Sequence, residues 1–355
     1  MYSFHPGPSE VFPHVRTYLT EAYDQGILSL PHRHPDFSAM YRRIEELMRE
    51  RLNLPPDYRL YFFSSATECW SVVSEGMVED SALHVFTGDF GRRWYEYSYT
   101  INGRVARLDL EPDQDYFELT DDQFRGYEMV CLTHNETSNG SQVPVEFMHH
   151  LRDRLPDSIL AVDATSSLAG VDLPLEAADI WFASVQKCFG LPAGLAVMFC
   201  SPRAVQVFQR LNFDDQYNCL IFTHENALKH QTTHTPNVLN IYLLLRVLES
   251  SPTIALIHDR LVERSTRLYQ VLDQHSHFQP LIQLRANRSI SVVAAEGVMQ
   301  DIAWLRHQLA EQGIRIGTGY GEWADTTFRL ANFPAHTDEA YHQLIDLIRS
   351  YPSGN

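Results

Sequence analysis

Between about residues 59 and 200 the chain alternates short apolar runs with amphipathic stretches: RLYFF then ATECWSVVSEGMV, MVCLT then PVEFMHHLRDRL, followed by ILAVD, IWFAS and LAVMFC. Strands that run parallel must be joined by crossovers, and helices are the usual ones, so this alternation predicts an α/β domain around a mostly parallel sheet. In the second segment Cys69, Trp70, Val73 and Met77 recur at helical spacing, which puts Ser64 to Thr67 in the turn between a strand and a helix, a natural cradle for phosphate. From about 235 to 275, TPNVLNIYLLLRVLES and ALIHDRLVERSTRLYQVL read as two long helices bracing the domains. The last third changes texture. Strand-like SISVVAA (289–295), amphipathic IAWLRHQLAEQ, strand-like TTFRLANF (326–333) and a last helix for Thr337 to cap predict a small α+β domain.

A chain of 355 residues is long enough for one large core and a smaller one. No apolar run approaches the roughly 18 residues that a membrane span needs, and the first residues lack a basic start followed by an apolar stretch, so a cytoplasmic protein without membrane partners is expected. A formal charge of −17 argues against binding nucleic acid, and any anionic ligand has to be held by a local arrangement. The 5 cysteines are odd in number and scattered, with no C-x-x-C pair, which points to reduced thiols rather than a disulfide framework or zinc site. The histidines, His32-x-His34 and His149-His150 included, lack the grouping with Cys or acid that a metal needs. The glycine-rich stretch 317–321 departs from G-x-G-x-x-G and reads as a flexible loop.

Only two residues in the whole chain are lysines, Lys187 and Lys229. Lys229 lies among polar residues in ENALKHQTTH and reads as solvated. Lys187 lies in the apolar stretch FASVQKCFGLPAGL, 24 residues after Asp163 at the end of ILAVD. A pyridoxal phosphate enzyme needs a lysine to hold the cofactor aldehyde as an imine, and a carboxylate at the pyridine nitrogen to keep the ring protonated as an electron sink. Both residues would sit at the carboxyl ends of neighbouring strands, where open α/β sheets bind ligands.

HNETSNG (134–140), VDATSSLAG (162–170), SVQKCFGLPAGL and TPNVLNIYLL (235–244), in that order and flanked by FHPGPSE and FRLANFPAH, resemble the class V aminotransferases, and within that class the phosphoserine aminotransferase group. The resemblance implies the aspartate-aminotransferase-like fold type I of pyridoxal-phosphate transferases: a large cofactor domain with a mixed, mostly parallel sheet over residues 16–255, and a small α+β domain from 1–15 with 256–355. It implies Lys187 as the Schiff-base lysine, Asp163 as the partner of the ring nitrogen, Thr137 as the bond to the ring hydroxyl and Phe90 as the aromatic stacked on the ring. The cofactor phosphate would rest on Ser65, Ala66 and Thr67, with Gln186 beside the lysine. His234, where the family commonly has Asn, and Thr235 would enter from a second subunit, making the active unit a homodimer with shared sites.

For the substrates, an amino acid and a 2-oxo acid, the resemblance implies Arg329 as the carboxylate site, with His32 and Arg33 reaching into the partner's site. Two basic features of the phosphoserine group are missing: the arginine in the turn that is here Ser-Ala-Thr-Glu, and the His-Arg pair where this chain has Gly319-Tyr320-Gly321. Phosphoserine with 2-oxoglutarate therefore stands beside a small-substrate alternative of the alanine or serine and glyoxylate type, and a pyridoxal-phosphate lyase remains a further reading. No cysteine follows Cys219 to serve a desulfurase.

Overall fold

The structure, a computed structural model, describes residues 1–351. Its strands are β1 (Tyr2–Phe4), β2 (Arg59–Phe63), β3 (Ala82–Phe86), β4 (Val105–Asp109), β5 (Met129–Thr133), β6 (Asn135–Glu136), β7 (Ser141–Gln142) and β8 (Ile159–Asp163). They continue with β9 (Ile180–Ser184), β10 (Ala196–Cys200), β11 (Phe278–Pro280), β12 (Val292–Gly297), β13 (Ile314–Thr318) and β14 (Thr327–Ala331).

Seven strands form the larger sheet in the order β2-β10-β9-β8-β5-β3-β4. Only β10 runs against its neighbours. All five residues of each of β3, β5, β8, β9 and β10 are buried, which is why β5, β8, β9 and β10 read as apolar runs rather than alternating ones; β3, with His84 at its centre, went unread in the sequence. Helices Ala66–Gly76, Asp89–Ile101 and Val145–Arg154 provide crossovers. Their placement brings the carboxyl ends of β2, β5, β8 and β9 to one edge, where Phe63 and Ser184 both face Ala196 and Thr133 pairs with Asp163.

The smaller sheet has the order β1-β13-β14-β12-β11 and its own apolar core, with Phe4, Val293, Phe328 and Leu330 packed against helices Met299–Glu311 and Asp338–Arg349. Thr337 caps the last helix through the Ala340 N–H, as its sequence suggested. Helix Ile254–Gln274 runs from one core to the other, burying Ile254 in the first and Leu268 and Leu272 in the second. No single helix among the described residues is long and apolar enough to cross a membrane.

Two boundaries differ from the sequence expectation. The strand expected at 289–295 begins at Val292, because the Ser289 hydroxyl accepts the Ser291 and Val292 N–H groups and holds 289–291 in a turn. The stretch 317–321, expected as a flexible loop, is partly strand: Gly317 and Thr318 end β13, in register with Arg329 and Phe328. The hairpin β6–β7 ties the sheets together. Gly140 at its tip has φ +74°, and a Cβ there would lie 2.8 Å from the Val292 carbonyl and 2.9 Å from the Ala294 nitrogen.

Candidate active site

At the shared carboxyl edge lies a cavity of about 320 Å³, lined by Lys187, Asp163, Phe90, Thr137, Arg329 and Tyr320 among others. Asp163 is the last residue of β8, and Lys187 follows the end of the adjacent β9 by three residues. Both are enclosed, with 7% of Lys187 and 4% of Asp163 exposed. Lys187 Nζ donates to Thr137 Oγ1 at 2.8 Å and to Ser166 Oγ at 2.7 Å. It stands 5.4 Å from the Phe90 ring centre. Burial lowers its pKa to about 8, against an opposing pull from Asp163 and Glu136.

Burial likewise raises the pKa of Asp163, opposed by hydrogen bonds that favour its charged form. Thr165 N–H donates to Oδ1 at 2.9 Å, and the Trp70 indole N–H donates to Oδ2 at 2.8 Å. Arg329, 4% exposed on β14, is oriented by donating from Nε to the Thr318 carbonyl and from Nη1 to the Thr137 carbonyl, both at 2.8 Å. Burial brings its pKa down to about 10, so it stays cationic at neutral pH. Phe90 is placed by a buried acid: Glu136 accepts the N–H groups of Phe90 and Gly91 at the start of helix Asp89–Ile101.

The phosphate cradle is more finely divided than its sequence suggested. Ala66 and Thr67 line the cavity, and so does Gln186. Ser65 does not; its hydroxyl caps helix Ala66–Gly76 by accepting the Glu68 N–H at 3.1 Å. The Ala66 N–H is taken by Ser184 Oγ at 2.7 Å, which leaves the serine proton free to donate toward the cavity. His32, Arg33, His234 and Thr235 do not line this cavity. They gather elsewhere: Arg33 donates to Gln231 at 3.1 Å, and Gln231, His234 and Thr235 line a second hollow with Ser64 and Glu68. His234 stacks on Tyr217 with ring centres 4.3 Å apart.

Residues that the sequence reading passed over complete the wall: His5, Trp70, Asn135, Ser184 and Tyr320 line the cavity, and Ser166 meets the lysine. Trp70 was visible only as one residue of an apolar helical face. Its place one turn after Thr67, and so one turn into a helix that starts at the cradle, was the available signal.

Two buried polar atoms at the wall, Thr133 Oγ1 and Asn135 Nδ2, have no hydrogen-bond partner among the described residues. Unpartnered groups of this kind are costly unless a ligand satisfies them. A buried amine, a buried carboxylate, an aromatic face and a helix start with unpartnered donors beside them form a donor set that fits pyridoxal phosphate.

Comparison with known proteins points to the aminotransferases. The model of the family described as "Aminotransferase class-V" matches residues 2–323. A phosphoserine aminotransferase of Corynebacterium glutamicum is 26% identical over 343 residues, covering 93% of this chain and 88% of that protein. Among solved structures, a phosphoserine aminotransferase from Cytophaga hutchinsonii superposes with a TM-score of 0.91 at 30% identity, covering 98% of both chains. An aspartate aminotransferase from Thermus thermophilus shares the fold with a TM-score of 0.85 at 21% identity, covering 99% of each chain.

Proposed function

Because the chain belongs to the class-V aminotransferase family, we propose that it moves an amino group between an amino acid and a 2-oxo acid, with pyridoxal phosphate carried on Lys187. The observation that carries this reading is the buried Lys187 and Asp163 at adjacent strand ends, across a cavity whose wall holds unpartnered polar atoms. When bound, the cofactor supplies an aldehyde that condenses with amines and a protonated ring that accepts the electron pair left at the substrate α-carbon.

Asp163 holds the proton on the ring nitrogen, and Trp70 and Thr165 keep that carboxylate charged. Thr137 bonds the ring hydroxyl and Phe90 covers the ring face. Thr67, Ser184 and Gln186 take the phosphate, and Ala66, whose N–H orients the Ser184 hydroxyl, lines its seat. Ser65 acts as the cap that fixes their turn. Arg329 binds the substrate carboxylate through Nη2, which has no protein acceptor among the described residues. Lys187 anchors the cofactor. With its amine free and neutral, Lys187 would take and return the proton of the substrate α-carbon as general base and acid.

The active unit in this proposal is a homodimer with His32, Arg33, His234 and Thr235 delivered to the partner's cavity. These four lie near one another, Arg33 bonded to Gln231 and His32 within reach of His234, and the exposed Tyr217 lines the same hollow as His234 and Thr235. We keep the division into a cofactor domain (16–255) and a small domain (1–15 with 256–355, of which 352–355 lie outside the described residues). All five cysteines are buried and unpaired, in keeping with a reducing cytoplasm.

The relatives' activity makes phosphoserine with 2-oxoglutarate the first substrate pair to test. Purified enzyme given donor and acceptor is expected to release the donor's 2-oxo acid with ping-pong kinetics. Release of ammonia or a cleaved side chain without an aminated acceptor would instead identify a lyase.

A further inference from the structure

Helix Asp89–Ile101 carries two arginines one after the other, outside the residues that line the cavity, and they are held differently. Arg92 pairs with Asp89 at 3.2 Å. Arg93 has no hydrogen-bond or ion-pair partner among the described residues, although the chain carries 45 acidic groups against 28 lysines and arginines. It rests instead on two aromatic rings. Its guanidinium carbon lies 6.0 Å from the centre of Phe90 and 5.4 Å from that of Tyr320. Those rings stack on each other at 5.3 Å and 25°, and both line the cavity that holds Lys187.

Tyr320 is fixed in that stack by its glycine neighbours. A Cβ on Gly321, whose φ is +56°, would fall 1.8 Å from Asp89 Oδ2, and one on Gly319 would fall 2.0 Å from the Trp323 carbonyl. The segment therefore lies against the start of the helix that carries Phe90 and Arg93. On the same tyrosine ring, 5.1 Å from its centre, lies the guanidinium of Arg329. The two guanidinium carbons are thus at most 10.5 Å apart, the sum of their distances to that ring centre.

We propose that Arg93 determines substrate specificity by binding an anionic group at the far end of the substrate, at the cavity's rim, while Arg329 holds the α-carboxylate, with the Tyr320 ring as the surface on which both guanidinium groups rest. The proposal rests on the aminotransferase reading above. Each charged contact spans about 4 Å from guanidinium carbon to acid centre. A short acidic amino acid, with a carboxylate or phosphate on its side chain, therefore bridges the gap without being fully extended. An aliphatic donor such as alanine leaves Arg93 unused.

The test uses holoenzyme, wild type and the variants Arg93→Gln and Arg93→Lys, and measures kcat and KM with glutamate, phosphoserine and alanine as donors. Wild type is expected to prefer at least one acidic donor over alanine. In Arg93→Gln the ratio of kcat/KM for that donor to that for alanine should fall by roughly tenfold or more, with most of the loss in KM, and Arg93→Lys should recover part of it. The glutamate and phosphoserine arms distinguish a carboxylate from a phosphate. A wild type that prefers alanine, or a ratio unchanged in Arg93→Gln, overturns the role of Arg93 while leaving the aminotransferase reading intact. A wild type inert toward all donors overturns that reading itself, and the role of Arg93 with it.

Discussion

Burial makes Lys187 a weaker base than a lysine in water, and that is its main chemical asset. With the pKa brought from 10.5 to about 8, the charged form is disfavoured by about 3 kcal/mol. A larger share of neutral amine is then available near neutrality. The rate at which cofactor-free enzyme takes up pyridoxal phosphate should accordingly rise with pH up to about 8 and level off above it, as measured by the growth of the visible band after mixing; a rate still climbing toward pH 10 contradicts the lowered pKa. The other half of the pair depends on Trp70. Replacing it by Phe leaves Asp163 Oδ2 without its donor and makes the buried carboxylate harder to ionise. Trp70→Phe is expected to weaken cofactor binding roughly tenfold and to shift the pH midpoint of the bound cofactor's absorption. An unmoved midpoint would reduce Trp70 to packing. Lys187 and Asp163 were legible in the sequence because their chemistry leaves few alternatives: one lysine in an apolar stretch and one acid ending a strand. Trp70, Ser166 and Tyr320 were not, because tryptophan, serine and tyrosine fill many other roles and only the fold brings them to the lysine.

Between residue and molecule, the turn after β2 is the proposed seat of the cofactor phosphate. Ser65 is at the N-cap of helix Ala66–Gly76, so Ser65→Ala should lower stability by about 1 kcal/mol, read from denaturant unfolding, and an unchanged midpoint would argue that the hydroxyl serves the cofactor instead. Gly140 is the tighter constraint. Gly140→Ala meets both a positive φ and backbone atoms of β12 within 3 Å, and should cost about 2 kcal/mol or more, with disturbed hairpin and Arg329 as the consequence. Sequence patterning found four of the five fully buried strands, β5, β8, β9 and β10, since continuous apolar runs bounded by helices have few other readings, and it missed β3, whose short run ALHVF is interrupted by the buried His84. It misplaced the start of β12 because Ser289 and Ser291 look like strand residues until their hydroxyls are seen holding a turn and meeting Asn135. The strand end at Gly317 and Thr318 was hidden by glycines that serve close packing against Pro6 and Trp323 rather than flexibility.

At the scale of the whole molecule, a net charge of −17 coexists with a cavity proposed to receive a phosphate and one or two carboxylates. The positive groups are therefore local, and four of the residues proposed for the cofactor and substrate do not line the cavity of their own chain. Light scattering should give about twice the 40.9 kDa of one chain. Mixing Lys187→Ala with Thr235→Asp chains after dissociation should restore activity that neither shows alone; recovery no greater than the sum of the two would contradict shared sites. The central claim, a cofactor held covalently on Lys187, has a direct test because Lys229 is the one other lysine in the chain. Holoenzyme is reduced with borohydride, digested, and mapped by mass spectrometry. The account expects a pyridoxyl adduct on the peptide containing Lys187, and none on that containing Lys229. An adduct on Lys229, or no adduct after full reconstitution, would contradict it.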